Sequence, residues 1–242
     1  MPAARDRLLV ALDFDAADKA LSAVRLLQDH VGGFKVGKEL FVTAGPDLTR
    51  LIARSGARVF LDLKFHDIPN TVAQAVSAAT RLGVWMINIH ASGGPAMCRA
   101  AVEAAGLTAA QLNRPAPLII GVTILTSLDQ TDLARIGMQG HPKEAALRLA
   151  GLAHEAGLDG VVAGAEEAAA IKQKCGADFL VVTPGIRPAG EAVGDQKRVM
   201  TPADALRNGS DFLVVGRPIT QAADPVAAAD KIVAEIETFE KG

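Results

Sequence analysis

Short, wholly apolar runs alternate with longer amphipathic stretches from one end of this chain to the other. The short runs predict buried strands over Leu8–Leu12, Gly33–Val36, Val59–Leu63, Val84–Ile89, Leu118–Thr123, Gly160–Val162, Phe179–Val182 and Phe212–Val215. The longer stretches predict helices over Ala16–His30, Leu40–Ser55, Thr71–Leu82, Pro95–Ala105, Pro142–Ala156, Glu166–Lys174, Pro202–Asn208 and Pro225–Glu240. Eight strands, each followed by a helix, is the count of an α/β fold of the (β/α)8 TIM-barrel type. The 242 residues match the length of one. An open doubly wound sheet is the alternative, but no G-x-G-x-x-G follows the first strand. No linker-like or low-complexity segment divides the chain, so residues 1–242 are expected to form a single domain.

Residues at the element boundaries fit this pattern. Pro69, Pro142, Pro202 and Pro225 stand where a first helical turn tolerates a missing N–H. Asp15, Thr201 and Asp224 are candidate N-caps. Gly32, Gly56, Gly83, Gly106, Gly157, Gly176 and Gly209 fall where C-terminal left-handed caps are expected.

Composition narrows the function classes. Half of the residues are hydrophobic, enough for a large core, and the net charge of −2 suggests neither a nucleic-acid nor a membrane surface. Tyrosine is absent and aromatics are scarce, against a base-stacking surface. Cys98 and Cys175 are far apart, without metal-type spacing, so packing roles and a reducing cytoplasm are expected. The first residues hold no apolar signal-peptide core, and no run approaches the ~18 apolar residues of a membrane span.

A barrel of this type carries its chemistry at the C-terminal ends of its strands. Those ends offer Asp13; Lys35 with Lys38 just beyond; Asp62 and Lys64; Asn88 and His90; Thr123, Thr126 and Ser127; Ala163-Gly164; Thr183 to Arg187; and Gly216-Arg217. The densest stretch is Asp62-Leu-Lys64-Phe-His66-Asp67-Ile-Pro-Asn-Thr71. Charges at the end of a buried strand are costly unless paired. A preorganised Asp-Lys-Asp array that tunes a proton donor is one explanation. A structural ion pair capping the strand is the other. Asp62 and Asp67 could hold Mg²⁺ in principle, but Lys64 between them neutralises them without a metal, and none is expected.

Acids and bases gather on the first three strands, glycines and arginines on the last two. Phosphate sites in these barrels are often built by the loops after strands seven and eight. There Gly216 would let a backbone N–H approach an anion, and Arg217 would supply a forked donor. A surface pairing of Arg217 with a carboxylate is the alternative. Residues 187–196 have no apolar periodicity and read as a loop able to close over a ligand, with Arg187 and Gln196 at its ends.

These residues resemble the orotidine 5′-phosphate decarboxylase family over essentially the whole chain. The resemblance is carried by Ala11-Leu12-Asp13, Phe34-Lys35-Val36-Gly37, the Asp62–Thr71 block, Thr123-Ile124-Leu125-Thr126-Ser127, Thr183-Pro184-Gly185-Ile186-Arg187 and Val215-Gly216-Arg217-Pro218-Ile219-Thr220. It implies decarboxylation of orotidine 5′-phosphate to UMP, the last step of de novo UMP synthesis, without a cofactor. It implies that Lys64 delivers a proton to C6 of the pyrimidine and that Asp62 lies beside the substrate carboxylate. Lys35, Asp62, Lys64 and Asp67 would form an alternating-charge network, with Asp67 and Thr71 reaching in from the second subunit of a homodimer. Asp13 and Lys35 would bind the ribose, Thr126 the pyrimidine, and Gln196, Gly216 and Arg217 the phosphate, with Arg187 and Gln196 on the closing loop. Mg²⁺-dependent sugar-phosphate lyases of the same suprafamily and a non-catalytic phosphate-binding barrel are the other readings.

Overall fold

The protein is described here by a computed structural model covering residues 3–188 and 200–241. Eight parallel strands close into a barrel in chain order. They are β1 (Leu8–Ala11), β2 (Gly33–Gly37), β3 (Val59–Phe65), β4 (Met86–His90), β5 (Leu118–Val122), β6 (Gly160–Val162), β7 (Leu180–Thr183) and β8 (Phe212–Val215). The ring shuts where Leu8 and Leu9 of β1 pair with Leu213 and Val214 of β8. The helices are α1 (Ala17–Leu27), α2 (Lys38–Arg54), α3 (Pro69–Arg81), α4 (Gly94–Gln111), α5 (Gln130–Arg135), α6 (Pro142–Glu155), α7 (Ala165–Cys175), α8 (Pro202–Arg207), α9 (Arg217–Thr220) and α10 (Pro225–Lys241). None is long and apolar enough to cross a membrane.

The strands read as unbroken apolar runs because both of their faces are buried. Alternate residues still go to different places. Leu9, Ala11, Phe60, Met86, Ile120, Val182, Phe212 and Val214 fill the barrel. Their neighbours Leu8, Val10, Leu61, Ile87, Val181 and Leu213 pack outward against the helices.

The N-terminal end of the barrel is a closed floor. Trp85 meets Phe212 edge-on, with ring centroids 5.2 Å apart, and the Arg58 guanidinium lies over the Trp85 ring. Two aspartates just before strands tie the floor together. Asp159 Oδ2 accepts the Ile119 N–H at 2.7 Å, and Asp211 Oδ2 accepts the Val181 N–H at 2.7 Å. Asp211 also pairs with Lys172 at 2.7 Å.

Several helix boundaries depart from the sequence reading. α5, α9 and two short 3-10 turns (Ala4–Arg7 and Ala91–Gly93) are too brief to produce a periodic signal. α2 starts at Lys38 and continues through a bend at Gly45, whose φ of 71° only glycine adopts readily. α4 runs to Gln111, so Gly106 is an exposed mid-helix residue rather than a cap; the surrounding alanines offset its weak helix propensity. Asp15 caps nothing: Ala16 holds the N-cap position of α1, and Asp15 pairs with Lys19. Gly32 is not left-handed either. Its role is close approach, since a Cβ there would fall 2.3 Å from the Asp6 carbonyl oxygen. The four prolines do begin helices, and Thr201 and Asp224 accept the N–H groups of Asp204 and Ala227.

Candidate active site

The C-terminal end of the barrel lies opposite this floor. Two adjoining cavities occupy it, sharing Lys35, Pro184 and Val214 as walls. The first, of about 250 Å³, has apolar walls from Phe60, Val122, Ile124, Val162, Val182 and Val214 and polar groups from Lys35, Asp62, Lys64, Asn88, Thr126 and Ser127. The second, of about 360 Å³, is lined by Asp13, Lys35, Gly185, Arg187, Gly216, Arg217 and Gln221. A largely apolar cavity joined to a pocket holding two arginines suits a ring attached to an anionic tail.

Four charged side chains form a line of alternating sign that runs from the second cavity into the first. Asp13 Oδ1 is 3.2 Å from Lys35 Nζ, Lys35 Nζ is 3.3 Å from Asp62 Oδ2, and Asp62 Oδ1 is 2.5 Å from Lys64 Nζ. Burial pushes the Asp62 carboxyl upward, but Lys35 and Lys64, with hydrogen bonds from Lys64 and Asn88, outweigh it and hold the group below the ordinary aspartate range. Asp62 is therefore a buried, fully ionised carboxylate gripped between two ammonium groups.

Local backbone geometry sets Lys64 apart. It is one of two described non-glycine residues with positive φ, at 54°. A left-handed lysine costs about 1–3 kcal/mol and persists only where its surroundings hold it. It coincides with a bulge, because β3 and β4 pair Leu61 with Ile87 and then Phe65 with Ile89. Strand alternation alone places Lys64 on the face of Asp62. The bulge then turns the chain so that the ammonium folds back onto the carboxylate.

Most of the residues singled out from sequence converge. Asp13, Lys35, Asp62, Lys64, Thr126, Arg187, Gly216 and Arg217 all line the two cavities. Arg187 is buried and donates to the Ile186 carbonyl at 2.8 Å. Gln196 lies outside the described residues. Asp67 and Thr71 line neither cavity of their own chain. They sit on the continuously exposed stretch 66–71, where Ile68 is 66% exposed and Asp67 Oδ1 accepts the Ile68 N–H at 2.6 Å. The line of charge within one chain thus runs through Asp13, not Asp67.

Two further contributors carry no role in the sequence reading, although Asn88 stands among the polar strand ends and Gly37 within the Phe34–Gly37 motif. Gly37 stands where a Cβ would come within 3.1 Å of Lys35 Nζ and 3.3 Å of Asp13 Oδ1, crowding that ion pair. Asn88 donates from Nδ2 to Asp62 Oδ1 at 2.6 Å. Beside them His90 faces His66, with ring centroids 5.4 Å apart. Burial first, then His66, Lys64 and Lys38, push the His90 imidazole down to about 4, so it is neutral at pH 7. Among the described residues no cluster of three or more His, Cys, Asp or Glu is placed to hold a metal ion.

The sequence model of the orotidine 5′-phosphate decarboxylase / HUMPS family matches residues 6–232. The chain belongs to that family. It is 56% identical to orotidine 5′-phosphate decarboxylase of Moorella thermoacetica, over 97% of this chain and 93% of that protein. It is 57% identical to the Halorhodospira halophila enzyme of the same name, over 95% of each. The crystal structure of orotidine 5′-phosphate decarboxylase from Lactobacillus acidophilus superposes with a TM-score of 0.84 at 38% identity, covering 95% of this chain and 98% of that one.

Proposed function

We propose that this protein decarboxylates orotidine 5′-phosphate to UMP and CO₂, the closing step of UMP synthesis, and does so as a homodimer. The observation that carries the reading is the Asp13–Lys35–Asp62–Lys64 line of charge at the wall of a largely apolar cavity, next to a pocket with two arginines. The family's named members are decarboxylases of this substrate.

The pyrimidine would occupy the apolar cavity, with Thr126 at its edge, and the phosphate would lie between Arg187 and Arg217, with Gln196 joining them. A Cβ at Gly216 would meet only ordinary contacts, the nearest 3.5 Å away at Ala11. Asp13 and Lys35 would hold the ribose. Loss of CO₂ leaves an electron pair on C6 that the ring delocalises poorly. Lys64 stabilises it electrostatically and then transfers a proton from Nζ to C6, leaving a neutral amine. Asp62 lies where the substrate carboxylate arrives. Its charge disfavours that group more than the transition state from which the charge is leaving. Phosphate binding, remote from C6, orients the ring. Nothing in these steps calls for a cofactor. Cys98 and Cys175 are free and buried, which fits a reducing cytoplasm.

The exposed Asp67–Thr71 stretch supports the dimer: two residues of the Asp-Lys-Asp motif block turn away from their own cavity and remain available to a neighbour. The test follows the absorbance loss of orotidine 5′-phosphate with and without chelator. The natural protein should turn over in both, and Lys64→Ala should lose at least ~10³-fold in kcat while still binding UMP. Near-normal turnover by Lys64→Ala would remove Lys64 from the role of proton donor. Mixing Lys64→Ala with Asp67→Ala subunits should restore activity, since one site of each mixed dimer then holds an intact Lys64 and an intact Asp67. If mixing restores nothing, Asp67 acts within its own chain.

A further inference from the structure

We propose that Asn88 is a positioning residue, whose single amide group locks the bulged turn presenting Lys64 and at the same time aims the Asp62 carboxylate. The proposal rests on the reading of Lys64 as proton donor.

The bulge leaves Asp62, Leu63 and Lys64 of β3 opposite Asn88 alone on β4. A bulge takes backbone groups out of the strand ladder. The freed N–H of Lys64 is accepted instead by Asn88 Oδ1, at 2.8 Å. The other end of the same amide, Nδ2, donates to Asp62 Oδ1 at 2.6 Å. That oxygen is also the one that Lys64 Nζ reaches, at 2.5 Å. One planar group therefore fixes both the main chain of the lysine and the carboxylate its ammonium rests on. The amide can face only one way, because exchanging its oxygen and nitrogen would set donor against N–H and acceptor against carboxylate. Asn88 is fully buried, so water has no access to replace it. It occupies an inward position of β4, two residues beyond Met86 of the barrel interior.

Aspartate and alanine take the two jobs apart. An ionised aspartate keeps the acceptor for the Lys64 N–H and loses the donor to Asp62, and alanine loses both. Once the bulge is unpinned, the left-handed Lys64 can relax toward extended geometry and carry Nζ away from Asp62. A displacement near 1 Å costs about 10²-fold in rate.

The test measures steady-state kinetics and thermal melting on full-length Asn88→Ala and Asn88→Asp, with Lys64→Ala alongside. Asn88→Ala should lose about 10- to 100-fold in kcat, with KM within a factor of about three, per folded protein. Asn88→Asp places a second carboxylate against Asp62, and two carboxylates this close share a proton. Its kcat should be depressed at neutral pH and recover partly toward acid pH, where the shared proton restores a donor. The natural enzyme should lack that acid recovery. The titratable groups facing the position are Asp62, Lys64, Lys35 and His90. If Asn88→Ala does not fold, the pH profile of Asn88→Asp decides alone. A natural kcat in the folded variants, or an Asn88→Asp profile that overlays the natural one, would overturn the proposal. Should Lys64→Ala keep its turnover, the reading of Lys64 fails as well. Should Lys64→Ala be inactive while the Asn88 variants are unimpaired, only the positioning role fails.

Discussion

The two ends of the barrel both hold aspartates at the ends of strands, and they use them differently. At the floor, Asp159 and Asp211 accept backbone N–H groups from the neighbouring strands β5 and β7. Each stands in for a ladder partner that the strand end lacks, and Asp211 adds an ion pair with Lys172 of the surrounding helix α7. At the mouth, Asp62 bonds to side chains only in the hydrogen bonds and ion pairs described: Lys35, Lys64 and Asn88. The floor carboxylates secure strands. The mouth carboxylate holds an ammonium in place in front of a cavity. The same residue type supports stability at one end and chemistry at the other, and what separates the two is the identity of the donors.

Exchanging one acid at each end should break the two roles apart, with the largest effect at the mouth. Asp62→Asn should lower kcat by about 10²–10³-fold, because the carboxylate between the two lysines loses its charge, and this fall in activity should far outweigh the accompanying fall in melting temperature. Asp211→Ala should do the reverse. It strands the Val181 N–H and leaves Lys172 without its carboxylate, a cost of about 1–3 kcal/mol. In a protein of this size that lowers Tm by about 3–10 °C, with kcat per folded molecule unchanged. A fall in activity without a fall in Tm for Asp211→Ala would erase the distinction.

A smaller effect sharpens it. His90 at the mouth has its pKa pushed from 6.5 down to about 4. Between those values the unfolded chain binds a proton that the native one refuses, so stability falls as the pH drops from 6.5 toward 4. Asp62 acts in a lower window. Its depressed pKa means that its contribution is complete above the 3.8 of an ordinary aspartate and is lost as the pH falls through the native value. His90→Gln should therefore flatten the dependence of Tm on pH between about 4 and 6.5 and leave the acid limb below it. Parallel Tm curves for the two proteins would show that His90 does not carry the slope.

Much of the architecture was legible in the chain. The eight apolar runs gave the strands in order, because strands covered on both faces need apolar residues throughout. The prolines at helix starts and the polar residues at strand ends pointed to one end of the barrel. The Asp62–Thr71 block carried the resemblance that the relatives bear out. Brief elements such as α5 and α9 escaped because four to six residues span too little of a helical period to register.

By itself, then, the sequence determined which residue types stand at which strand ends, since local propensity and hydrophobic period act over a few residues. Barrel closure and strand register decided what those residues meet. Within one chain Asp13, just past the first strand, joins the line of charge, while Asp67, three residues from Lys64 in the chain, stands outside it. The left-handed turn at Lys64 exists because a bulge between β3 and β4 displaces it and Asn88, 24 residues further along, accepts its N–H. Arg187 and Arg217 meet at one cavity because β7 and β8 are neighbours. Such pairings depend on register and on hydrogen bonds between distant segments, which leave no period in a linear pattern.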